Sequence, residues 1–263
     1  MDLTIRYKGH ALTIACFLRP GPKETLVFLH GLGCSKEDFR GAAEAEGLRD
    51  YTLAGFDFPG SGGSSYPEGA RFSLADLAEI TDAVVAGLGL DRFVLAGHSM
   101  GGAVALLYMA KHPEKAAAFV NIEGNLAPDN CGISRIAREK DFRDFYPAIY
   151  ADHIKRLLDR NNPGFAAWAR SLENASPQAF FDYCPTLVEL SDSGILLRQF
   201  IGLAIPKIYI YGSQNQGLCS LPELAQKGCP LQEIPASAHF PFHDNPETFY
   251  TAVSDFLREW TKG

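Results

Sequence analysis

The chain has 263 residues, 46% hydrophobic and 21% charged, enough to build a sizeable core without disulfide or metal staples. Its formal net charge of -7 argues against a nucleic-acid groove or attraction to an anionic membrane, both of which need clustered Lys and Arg. Six cysteines with no C-x-x-C pair fit neither a zinc cluster nor a disulfide scaffold, so the expectation is a small-molecule substrate with no metal and no organic cofactor.

Met1-Asp2-Leu3-Thr4-Ile5-Arg6 lacks the basic and apolar regions of a signal peptide, and no apolar run reaches membrane-spanning length. One large cytoplasmic domain is expected, and a homodimer is compatible with it. Leu3 to Tyr7 and Ala11 to Leu18, parted by Lys8-Gly9, read as a hairpin. Thr25 to Leu29 is an apolar strand ending in His30-Gly31-Leu32-Gly33. Asp38 to Leu48 reads as helix, and Tyr51 to Gly55 as the next strand, leading into the Gly- and Ser-rich loop Asp57 to Ser65. Ser73 and Asp76 form a capping box ahead of an amphipathic helix through Leu88. Phe93 to Ala96 is a strand, a helix runs from Met100 to a stop at Pro113, and Ala117 to Ile122 is a further strand. Strands alternating with helices imply a parallel sheet covered on both faces.

The alternation stops between 124 and 204, where polar, aromatic-rich helical pieces appear at Ser134 to Tyr146, Asp152 to Arg160, Phe165 to Glu173 and Pro177 to Tyr183. An insertion of roughly 80 residues is explained by a helical subdomain rather than by loop. The rhythm resumes with strands at Lys207 to Tyr211 and Leu231 to Ile234 and a last helix from Pro246 to Trp260. This divides the chain into a core of 1-123 and 205-263 and an inserted helical cap of 124-204.

Gly97-His98-Ser99-Met100-Gly101-Gly102 falls at a strand-to-helix junction, the setting of a nucleophile elbow. A serine there needs a base and a carboxylate to orient that base. His239, in the loop between the last strand and the last helix, is placed at the same carboxyl edge of the sheet as Ser99. His243 lies closer to the helix start, and His98 should point away from the serine. The backbone N-H groups of Leu32 and Met100 are expected to form an oxyanion hole.

These motifs, together with Asp57-Phe58-Pro59-Gly60-Ser61-Gly62 and Ala238-His239-Phe240-Pro241, resemble the α/β-hydrolase superfamily over nearly the whole chain. The resemblance implies a mostly parallel eight-stranded sheet with helices on both faces and a helical cap between the sixth and seventh strands. In most relatives with this plan the acid follows the seventh strand, but the matching stretch is Gly212-Ser213-Gln214-Asn215. Asparagine carries no charge to stabilise an imidazolium. Glu123, which ends the sixth strand, is therefore the expected acid, a position used in some branches; its blander role is a surface carboxylate at the hinge of the cap.

Asp57 is expected to organise the glycine loop and Asp244 to cap the last helix. Cys34 stands beside the oxyanion turn, as pocket lining or as a small buried thiol. Among the cap aromatics, Phe142, Phe145, Trp168 and Phe181 are the candidates for the substrate pocket, against a place in the cap's own core. Arg135 and Arg138 read as a solvated face or as partners of a substrate carboxylate. The expected activity is hydrolysis of an ester-like acyl bond through an acyl-enzyme. A thioesterase, a carbon-carbon bond hydrolase, a perhydrolase side activity and a ligand-binding protein are the alternatives.

Overall fold

The computed structural model describes residues 1–260, the side chain of Asn130 aside, so the last three residues of the expected core lie outside the described residues. Strands β1 (Asp2–Tyr7) and β2 (His10–Arg19) form the expected hairpin, with Tyr7 opposite His10 and both turn residues, Lys8 and Gly9, at positive φ. That two-residue geometry matches the right-handed twist of the strands. β3 (Lys23–Leu29), β4 (Tyr51–Phe56), β5 (Phe93–His98), β6 (Ala116–Ile122), β7 (Lys207–Gly212) and β8 (Leu231–Ile234) complete one sheet. Its order is β1-β2-β4-β3-β5-β6-β7-β8. The pairs β1–β2 and β2–β4 are antiparallel and all others are parallel.

The central strands are continuous apolar runs because both faces are covered. Val27 and Leu29 of β3 pack on one side with helices α1 (Leu74–Gly87) and α2 (Met100–Lys111); Leu26 and Phe28 pack on the other. That other side receives Phe249, Val253 and Leu257 of α11 (Pro246–Trp260). The capping box starts α1 as read, with Ser73 and Asp76 each bonding the other's backbone N-H. The helix expected over Asp38 to Leu48 is instead two 3-10 pieces, Lys36–Ala43 and Glu46–Leu48. Gly41 and Gly47 lower α-helix propensity there, and their missing side chains leave room for Tyr250 and Ser254 of α11.

Between β6 and β7 the chain is helical. It passes through α3 (Gly132–Arg138), the single turn α4 (Phe142–Asp144), a wide turn Phe145–Ile149, α5 (Tyr150–Leu158), α6 (Pro163–Glu173), α7 (Pro177–Asp192) and α8 (Ile195–Gly202). Asn162 and Ser176 cap α6 and α7, each with proline in the first turn. The sequence reading stopped α7 near Tyr183 and missed α8. Pro185 lies inside the helix, which continues past it because Tyr183, Cys184, Leu187 and Val188 bury one continuous face. After β7, α9 (Leu221–Gln226) leads to β8, and α10 (Pro241–Asp244) precedes α11. No helix of the described residues is long and apolar enough to cross a membrane.

Strand order reverses at β3, whose neighbours β4 and β5 lie on opposite sides. Open α/β sheets bind ligands beyond the carboxyl ends of strands at such a point. His30 to Gly33 and Ser99 both leave the sheet there.

Candidate active site

β5 ends at His98 and α2 begins at Met100, so Ser99 alone makes the turn, at φ 52° and ψ -120°. Positive φ is costly for a residue with a side chain and persists only when its surroundings enforce it. Here the Ser99 N-H donates to Ile122 O (3.0 Å), while Ser99 O accepts from the N-H groups of Gly102 (2.9 Å) and Asn125 (3.3 Å). The glycines are obligatory in space as well: a Cβ on Gly101 would stand 2.2 Å from the backbone oxygen of Leu29, and one on Gly97 2.7 Å from that of Gly101. Both strand and helix pass too close to a neighbouring backbone to admit a side chain. The Ser99 hydroxyl donates to Asn125 Oδ1 (3.3 Å) rather than to the His239 ring.

His239 sits where β8 turns towards α10, in a loop pinned from three sides. Ala238 N-H donates to Asp244 Oδ2 (2.8 Å), Gln214 N-H donates to Ser237 O (2.9 Å), and the His98 ring donates from Nε2 to His239 O (2.9 Å). A carbonyl only accepts, so His98 carries its proton on Nε2. Burial holds the His98 pKa well below the usual histidine range, with the nearby His239 acting in the same direction. The residue beside the serine is thus a neutral strut for the loop that carries the histidine. Asp244 does not cap α11, as was expected of it; its other oxygen accepts from Gly164 N-H (3.0 Å), tying the His239 loop to the start of α6. Asn245 stands at the start of α11 in its place, with Oδ1 accepting from Thr248 N-H (3.4 Å). His243 faces away from Ser99 and pairs with Asp38 (2.9 Å).

Glu123 is fully buried and faces His239, Oε2 lying 3.4 Å from Nδ1. Its other oxygen accepts from Gly212 N-H (2.7 Å) and from Asn215 Nδ2 (3.0 Å). The side chain at the position of the missing acid therefore holds the carboxylate one strand away. Glu123 is also at positive φ, 49°, in a turn closed by the Gly124 N-H on Asn121 Oδ1 (2.9 Å). This is a buried carboxylate inside the sheet edge, not an exposed hinge residue.

The turn after β3 is built on His30. Its Nδ1 donates to Gly31 O (2.8 Å) and its Nε2 accepts from Phe58 N-H (2.9 Å), so the ring joins this turn to the glycine loop after β4. Burial lowers the His30 pKa, as the accepting role of Nε2 requires. Leu32 O accepts from Trp168 Nε1 (2.8 Å), which fixes the turn against α6. Asp57 organises the glycine loop as expected, accepting from Lys36 N-H (2.7 Å), Lys36 Nζ (2.9 Å) and Gly63 N-H (2.8 Å).

Ser99, His239, Glu123 and Leu32 line one cavity of about 300 Å³. Met100 is buried just behind it, with its N-H at the first position of α2, where a helix leaves donors unpaired. Ile133, Leu157, Phe165, Trp168, Leu187 and Phe240 give the cavity apolar walls; Asp129, Ser134, His153, Arg160 and Asn215 add polar groups. Cys34 is both buried and a lining residue, its pKa raised well above the usual thiol range by burial and by Asp38.

Of the four aromatic candidates only Trp168 lines the cavity. Phe145 is fully buried against Phe180 and Phe181 (centroids 6.0 and 5.6 Å), and Phe142 packs on Tyr146 and Phe181 (5.6 and 5.4 Å). Phe145 belongs to the buried core, while Phe142 and Phe181 are half-buried rings packed against one another away from the cavity. Arg135 is bound by both oxygens of Asp192 on the surface, and Arg138 lies 3.5 Å from the same carboxylate. The sequence reading missed Asn125, His153 and Arg160. Asn125 lies two residues beyond Glu123, just after β6, which is the one signal that marks it.

The sequence profile of the alpha/beta hydrolase fold family matches residues 24–246. The chain belongs to the alpha/beta hydrolase fold family, which places it among the hydrolase enzymes. It is 25% identical to an AB hydrolase superfamily protein, YisY, of Bacillus subtilis (strain 168), over 90% of this chain and 92% of that one. In three dimensions it is similar to a thermophilic esterase from Thermogutta terrifontis, with TM-score 0.80, 20% identity and 98% of each chain covered. A putative aryl esterase from Burkholderia cenocepacia superposes with TM-score 0.78 at 21% identity, with 100% of each chain covered.

Proposed function

We propose that this member of the family is a serine hydrolase of small, partly apolar esters, in which Ser99 attacks, His239 relays the proton and Glu123 orients His239. One observation carries the reading: a serine at a strained strand-helix turn shares a cavity with a histidine whose Nδ1 faces a buried carboxylate. The Leu32 and Met100 N-H groups stabilise the oxyanion as the carbonyl becomes tetrahedral. His239 then protonates the leaving alcohol, and water activated by the same ring cleaves the acyl-enzyme. On this reading the 3.3 Å bond to Asn125 is the resting position of the hydroxyl, which swings to the imidazole when substrate arrives. Helices α3 to α8 act as the cap, since α5 and α6 supply His153, Leu157, Phe165 and Trp168 to the cavity wall. The esterase descriptions of the two similar structures agree with this activity.

A fluorophosphonate probe and a short-chain nitrophenyl ester test it. Labelling and turnover are expected in the wild type, with both lost in Ser99→Ala. A folded wild type that shows neither overturns the reading.

A further inference from the structure

Arg160 is the one Lys or Arg among the described residues that line the cavity. Other arginines of the inserted helices are engaged by acids, Arg135 with Asp192 and Arg156 with Asp152. By contrast, no carboxylate among the described residues lies within 4.0 Å of the Arg160 guanidinium. Its charge instead rests over the Phe165 ring, 4.4 Å from the centroid. A guanidinium stacked in this way keeps its forked N-H edge free for a planar anion. The backbone beneath is fixed: Asn161 takes positive φ (48°), and Asn162 caps α6 by accepting from Phe165 N-H (2.9 Å).

The position of this cation along the cavity is set by two rings. Phe165 lies 5.6 Å from Phe240, and Phe240 lies 5.1 Å from His239, centroid to centroid. Arg160 and the Ser99–His239 pair therefore line one cavity and are joined by an apolar wall of Phe165 and Phe240. The lining acid Asp129 makes no ion pair with Arg160 within 4.0 Å; its two oxygens accept from Cys219, from N-H (2.7 Å) and from Sγ (3.2 Å). His153, whose ring lies 5.0 Å from that of Trp168 in the lining, has a buried Nε2 with no hydrogen-bond partner among the described residues.

We propose that Arg160 binds a carboxylate at the distal end of the substrate, so that the site prefers monoesters of aliphatic dicarboxylic acids to neutral esters of equal length. The substrate class rests on the serine-hydrolase reading above. The apolar wall takes the methylene chain, and a charge-assisted, forked hydrogen bond takes the free carboxylate.

The test is calorimetric binding of monomethyl adipate and of methyl hexanoate to the Ser99→Ala protein, which separates recognition from turnover. Adipate monoester is expected to bind at least ~10-fold tighter, a preference that shrinks with added salt. Arg160→Gln in the same background is expected to erase the preference, and Arg160→Lys to restore part of it. Because Arg160 is an exposed residue, folding is not at stake, and thermal melts of each variant verify this. Equal affinities for the two esters, or a preference that survives Arg160→Gln, overturn the proposal. If the preference holds while the wild type neither takes the fluorophosphonate label nor turns over the nitrophenyl ester, the serine reading falls and the carboxylate subsite stands.

Discussion

Glu123 and Asn215 carry the chemistry that is least ordinary in this chain. A carboxylate buried without water must be paired and hydrogen-bonded, and Glu123 meets that demand with Gly212 N-H, Asn215 Nδ2 and the His239 ring. On the proposed triad, replacing Glu123 with Gln removes the charge that would steady the imidazolium while keeping the shape. Turnover of a nitrophenyl ester is expected to fall by ~10³ to 10⁴-fold, with an unchanged circular dichroism spectrum. Retained turnover in Glu123→Gln, alongside an inactive Ser99→Ala, would assign the acid elsewhere. Asn215→Ala deletes one hydrogen bond to the carboxylate, and kcat is expected to drop about 10-fold with little change in KM. A rise in KM with kcat unchanged would count against the positioning role. Sequence marked Glu123 through the missing acid at 215, but that Asn215 itself grips Glu123 was hidden, since the two are 92 residues apart.

At the scale of elements, the turns between strands and helices are the rigid parts. Gly101→Ala is expected to prevent folding or to leave an insoluble protein, because the new Cβ meets the Leu29 backbone at 2.2 Å and neither strand nor helix has room to yield. Soluble, active Gly101→Ala would show that the elbow is looser than this packing implies. Asp244 ties α6 to the His239 loop, so Asp244→Ala should cost about 1.5–3 kcal/mol of stability, read as a lower urea midpoint. The same variant should slow turnover through a displaced His239. The sequence placed Asp244 at a helix start, where acids commonly cap. It gave no sign that Gly164, 80 residues away, would be its partner.

For the whole molecule, buried histidines set the acid limit. His30 and His98 are wholly buried, and burial lowers the pKa of both. Burial, with Arg160 and Arg156, also brings His153 down to about 4. A histidine held neutral in the fold takes up its proton first in the unfolded chain, so its contribution is complete above the ordinary value near 6.5 and is lost as pH falls below it. Stability is therefore expected to fall between pH 7.5 and 5.5, with His153 losing as much as any fully neutral imidazole because about 4 lies well below that window. Urea unfolding at those two values measures the loss, and a flat profile would contradict neutral, buried imidazoles.

Local chemistry by itself determined the alternation of strands and helices, the elbow, the capping box and the hairpin turn. Each of these depends on contacts within a few residues, so spacing and residue type suffice. Only the tertiary structure decided which oxygen of Glu123 meets which donor, and that His98 supports the His239 loop. It also decided that Phe142, Phe145 and Phe181 pack on one another away from the cavity while His153 and Arg160 line it. In those helices aromatic residues occupy several faces at once, and which face turns towards the sheet is set by packing between segments far apart in the chain.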